Sequence, residues 1–89
     1  MNIVSIICDY ESNTKDICAI RYKVFVGEQK VPEELEIDGF DDQAKHVLAF
    51  VDGVPIGTGR ILSDGHIGRV AVLKDYRGLG IGKSIMKEL

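Results

Sequence analysis

Apolar and polar positions follow two different periods along this chain. Ile3 to Cys8 is a short apolar run rich in β-branched residues, which predicts a strand. Polar residues follow, and Ser12, Asn13 and Thr14 all offer N-cap oxygens. Ile17, Ile20 and Val24 then recur at helical spacing, joined by Cys18, Tyr22 and Phe25. This predicts a helix over 14–26, ending at Gly27. The stretch 28–43 is acidic and irregular; Pro32 opens it, EELE (33–36) predicts one helical turn, and DGFDD carries turn residues.

The second half reads as a meander. HVLAFV (46–51) is nearly continuous in apolar character, the signature of a strand buried on both faces. Asp52-Gly53 predicts a hairpin turn into a strand over 54–62, where Pro55 sits near the start. Gly57 and Gly59 share one face of that strand and let another backbone or a ligand come close. Asp64-Gly65 predicts a second hairpin into a strand over 66–72. Ile81, Ile85 and Leu89, with Met86, lie along one face of a final helix, with Lys83, Lys87 and Glu88 elsewhere. The fold class is α/β (α+β): strand, helix, three antiparallel strands, glycine turn and helix.

Composition narrows the function. With 89 residues the chain is a single domain, and its core is thin. Apolar residues make up 45% and charged residues 28%, a folded rather than a disordered balance. The net charge of −3 argues against nucleic acid as a partner, which requires a basic surface. A small anion remains possible, because Arg69, Lys74, Arg77 and Lys83 cluster late in the chain. Cys8 and Cys18 form neither a zinc pattern nor a disulfide framework, and buried free thiols predict a cytoplasmic location. The opening residues are not a signal peptide, and no stretch reaches membrane-spanning length. No metal site is expected. A calcium loop counted from Asp38 puts Ala49 where a bidentate Glu is required.

The chemistry concentrates in YRGLGIGKS (76–84), a glycine turn between a strand and a helix. Free N–H groups and the dipole at a helix N-terminus favour an anion, and glycines let it approach the backbone. Three phosphate patterns compete here. For a P-loop, the opening glycine would have to be residue 77, which is Arg77. For a dinucleotide fingerprint, the third glycine would be residue 83, which is Lys83. Arg77, Gly80 and Gly82 match R/Q-x-x-G-x-G/A without a gap.

On that motif the chain resembles the GNAT N-acetyltransferase superfamily. RVAVLKDYRGLGIGKSIM is similar to the family's acetyl-CoA segment, and RYKVFVGEQKVP, LEIDGFDDQAKH and PIGTGR resemble its ElaA-like branch. The resemblance implies that Gly78, Leu79, Gly80, Ile81, Gly82 and Lys83 hold the coenzyme pyrophosphate through backbone amides, with Arg77 adding charge. It implies that the backbones of Val70 and Val72 pair with the pantetheine arm. The implied reaction is direct attack of an amine, from a small molecule or a peptide, on the acetyl thioester. Glu28 is then the candidate catalytic base, and Arg21 and Arg60 are candidates to orient an acceptor carboxylate. Glu33, Glu34, Glu36, Asp41 and Asp42 read as a solvated acidic run, while His46 and His66 are weaker candidates for substrate contact. The resemblance also implies that later strands and a helix of the family fold are missing here, so this is an incomplete domain. The uncovered strand at 66–72 predicts a homodimer. The alternative reading is a truncated, non-catalytic module that binds coenzyme A or self-associates.

Overall fold

A computed structural model describes residues 2–32 and 39–89. The turn expected at 33–36, and Glu33, Glu34 and Glu36 with it, lie outside the described residues. At the centre is β2 (Lys45–Val51), whose residues Val47, Leu48 and Ala49 are fully buried. It is flanked by β1 (Ile3–Cys8) and β3 (Val54–Ile61), and β4 (Ile67–Val72) follows β3. The sheet order is β1-β2-β3-β4, with every pair antiparallel. Because alternate residues of β2 face opposite ways, one strand serves two cores. Val47, Ala49 and Val51 pack with Ile81 and Ile85 of helix α2 (Ile81–Glu88). Leu48 packs with Ile17 and Ile20 of helix α1 (Tyr10–Arg21) and with Val24. The continuous apolar stretch read from the sequence is therefore the middle layer of a sandwich of helix, sheet and helix.

The hairpins follow their turn residues. Asp52 and Gly53 both have positive φ, 50° and 83°, which is a type I′ pair. Gly65 has φ 94° in the second hairpin, where the Leu62 N–H donates to the His66 carbonyl at 2.9 Å.

The first helix departs from the expected boundaries. It begins at Tyr10, because Asp9 is the cap: its Oδ2 accepts from the Ser12 N–H at 2.8 Å. The hydroxyl of Thr14, one of the expected caps, instead donates to the Tyr10 carbonyl one turn back. Beyond Arg21 the rod does not stop at Gly27. It widens into a π-helix over Tyr22–Glu28, and the Gln29 N–H reaches the Val24 carbonyl at 3.0 Å.

A bulge re-aims β4. Thr58 pairs with Ala71 and Arg60 with Gly68, so Gly59 faces both Arg69 and Val70. Arg69 absorbs the extra residue at φ 52°, an uncommon conformation for a side chain with a Cβ. Past the bulge the Leu73 N–H donates to the Ile56 carbonyl. Neighbouring residues of a strand present their polar groups to opposite edges, so those of Val72 face away from β3. Among the described residues no strand pairs with that outer edge.

Candidate functional site

A 3-10 turn and a glycine turn bring β4 to α2. Lys74–Tyr76 forms a 3-10 turn, and then Gly78 and Gly80 adopt left-handed φ values of 83° and 80°. Gly80 is the N-cap of α2 and offers no side chain to the helix. The first intrahelical bond there runs from the Ser84 N–H to the Gly80 carbonyl at 3.0 Å. The N–H groups of Ile81, Gly82 and Lys83 precede it and have no side-chain cap. No acid occupies the first turn, and Lys83 stands there against the helix dipole. A local rule broken in this way, without internal compensation, points to an anion from outside.

Gly82 is the informative position. Its φ is ordinary, and a Cβ placed on it would meet nothing within 4 Å. Neither backbone nor packing within the described residues requires glycine here. Open space at the place of a Gly82 side chain, in the first turn of α2, is the feature that remains, and it leaves room for a phosphate-bearing ligand to approach.

Glu28 and Arg77 come together across 49 positions of sequence. Nη2 of Arg77 donates to Oε1 of Glu28 at 2.9 Å and stands 2.9 Å from Oε2. Nε of the same guanidinium donates to the Val72 carbonyl at 2.9 Å, on the outer edge of β4. Beside this pair an open pocket of about 300 Å³ is lined by Lys23, Glu28, Leu73, Lys74, Asp75 and Tyr76. The end of the π-helix, the edge of β4 and the glycine turn thus meet at one rim.

Arg21 and Arg60 lie elsewhere, turned inward onto Asp41. Arg21 bonds both carboxylate oxygens, at 2.8 and 3.3 Å, and Arg60 bonds Oδ1 at 2.9 Å. The side chains of Arg21 and Arg60 are 1% and 7% exposed, so in this arrangement an acceptor carboxylate would have to displace Asp41. Burial pushes the Asp41 carboxyl up, but the two guanidiniums outweigh it and hold the group below the usual carboxylate range. Asp41, expected in a solvated acidic run, is therefore an interior anion. His46 joins the cluster: its Nε2 is 2.9 Å from the Asp41 carbonyl, which can only accept, so Nε2 carries the proton. Its ring lies against Tyr10, whose phenol is pushed up first by its hydrogen bond with Cys18 Sγ at 3.1 Å and then by burial. His66 is exposed and paired with Asp64. Among the described residues no group of His, Cys, Asp or Glu is placed to hold a metal ion, and no helix is long and apolar enough to cross a membrane.

Comparison with known proteins bears on this geometry. The family model described as Acetyltransferase (GNAT) domain matches residues 8–89. A Bacillus subtilis (strain 168) protein, named "Uncharacterized N-acetyltransferase YjcF", is 39% identical over 88 residues, covering 96% of this chain and 63% of the relative. Escherichia coli ElaA superposes with a TM-score of 0.80 at 29% identity, covering 98% of this chain and 66% of ElaA. An acyl-CoA N-acyltransferase from Pseudomonas aeruginosa gives a TM-score of 0.80 at 29% identity, with 97% and 66% covered. The chain thus spans under two thirds of the length of these relatives.

Proposed function

The chain belongs to the acetyltransferase (GNAT) domain family, and from that premise we propose that it binds acetyl-CoA and serves acetyl transfer to an amine. The observation that carries this reading is the uncapped start of α2 with open space before Gly82. The amides of Gly78, Leu79, Gly80, Ile81, Gly82 and Lys83 hold the pyrophosphate, and the Lys83 ammonium adds charge beside it. The outer edge of β4, at Val70 and Val72, pairs with the pantetheine arm as a further strand would. An amide at this edge donates to the thioester carbonyl as negative charge develops on its oxygen. Acetyl-CoA supplies the acetyl group; the acceptor supplies a neutral amine, from a small molecule or a peptide. Glu28, on the rim beside the pocket, takes the proton that frees the amine's lone pair, directly or through one water. Arg21 and Arg60 are given no acceptor-binding role here, because both are bonded to Asp41 in the interior.

Calorimetric titration with acetyl-CoA, with magnesium–ATP as comparator, tests the reading. Micromolar binding of acetyl-CoA without binding of ATP is the expected result. Binding of ATP alone, or of neither, contradicts it.

The outer edge of β4, with which no strand pairs among the described residues, favours a second role, self-association of two copies through that edge. Light scattering should then give a dimer mass; a monomer mass at every concentration contradicts it.

A further inference from the structure

Arg77 stands one residue before the first glycine of the turn, yet both hydrogen bonds of its guanidinium lead away from the turn. Nε is held by the Val72 carbonyl and Nη2 by the Glu28 carboxylate. A guanidinium is planar, so two anchors on different nitrogens fix both its position and its plane. The first anchor is a backbone atom of β4, as rigid as the sheet. The second is a side chain at the end of the π-helix, a segment with no other ion pair to β4 or the turn among the described residues. The guanidinium therefore transmits the position of the strand edge to the Glu28 carboxylate.

We propose that Arg77 is a positioning residue for Glu28, a strut that holds the carboxylate at a fixed place against the outer edge of β4, while the turn's backbone holds the coenzyme. The proposal rests on the reading of Glu28 as the base of acetyl transfer, and it assigns Arg77 to that base rather than to the pyrophosphate. It makes a distinction between charge and shape. Lysine at 77 would keep the charge but carries all of its donors on one atom at the end of a flexible stem, so it lacks the planar fork that fixes Glu28 relative to Val72. A direct phosphate ligand would behave differently: loss of such a charged hydrogen bond costs about tenfold or more in affinity, and lysine recovers much of it.

Three chains decide the matter: the wild type, Arg77→Gln and Arg77→Lys. Side-chain NMR couplings report whether Glu28 holds one rotamer, and calorimetry reports coenzyme A affinity. Expected is a single Glu28 rotamer in the wild type, averaging in both variants, and affinity within about threefold throughout. Where acetyl transfer is measured, kcat falls in both variants while KM for acetyl-CoA holds. The proposal is overturned if Glu28 already averages in the wild type. It is equally overturned if Arg77→Gln weakens coenzyme A by about tenfold and Arg77→Lys restores it. A wild type that fails to bind coenzyme A sinks the functional reading, whereas the rotamer measurement still decides whether the strut exists.

Discussion

The glycines of β3 and those of the 77–82 turn look alike in sequence and differ in what stands before them. A Cβ on Gly59 would lie 2.7 Å from Cγ2 of Ile85, and one on Gly57 would lie 3.0 Å from its Cδ1. The β3 glycines are filled space: they let α2 settle onto the sheet. A Cβ on Gly78, Gly80 or Gly82 would meet nothing within 4 Å. The turn glycines are open space. The same contrast separates the two charged clusters, since Arg21–Asp41–Arg60 is sealed in the interior and Glu28–Arg77 stands on the rim. Interior features should answer to stability measurements, and rim features to binding measurements.

The largest effect is expected from Asp41→Ala. It strips two buried guanidiniums of their shared carboxylate, and breaking a buried ion pair from one side costs about 3–5 kcal/mol. Urea denaturation should show a loss of that order; a change under about 1 kcal/mol would mean the cluster is not interior in solution. The same carboxyl gives a pH signature. Its folded pKa is depressed, so its contribution is present above the usual carboxylate range and is lost as pH falls through the folded value. Asp41→Asn should flatten that acid limb.

Gly59→Ala should come next, at about 1–3 kcal/mol, because the branched methyl of Ile85 has little room to yield. Gly57→Ala should cost less, since the nearest atom is the mobile end of the same side chain. If both were neutral, α2 would not pack on β3 as described.

The four strands were legible because each carries its own evidence: a β-branched run at Ile3–Cys8, a continuous apolar run at 46–51, and the Asp-Gly turns at 52–53 and 64–65 that set off the next two. The start of α1 was not, because Asp9, Ser12, Asn13 and Thr14 all offer cap oxygens and only the folded backbone selects Asp9. The π-helical extension and the bulge at Arg69 have no local signal in the sequence. At the site, the glycine turn was legible from spacing alone. The partnership of Arg21, Arg60 and Asp41 was not, because it joins three elements about twenty residues apart in sequence. One acid within an acidic stretch gives no hint that it is the buried one.

On the rim, Glu28→Gln should change stability by under about 1 kcal/mol, since the pair is exposed to water on both sides. Denaturation of this variant beside Asp41→Asn compares a rim and an interior carboxylate directly; equal losses would erase the distinction.

The central claim is that the space before the turn glycines belongs to the coenzyme. Gly80 is a poor probe, because valine at φ 80° is strained whatever the ligand does. Gly82→Val is the clean one. Its φ is ordinary, its Cβ has room, and valine in a helix is no worse than glycine. The measurement is acetyl-CoA binding by calorimetry on the wild type and Gly82→Val, each with its denaturation midpoint. Binding lost with the midpoint unchanged is the predicted result. Wild-type binding retained in Gly82→Val would contradict the account, because the coenzyme would then not occupy the space that the glycine leaves open.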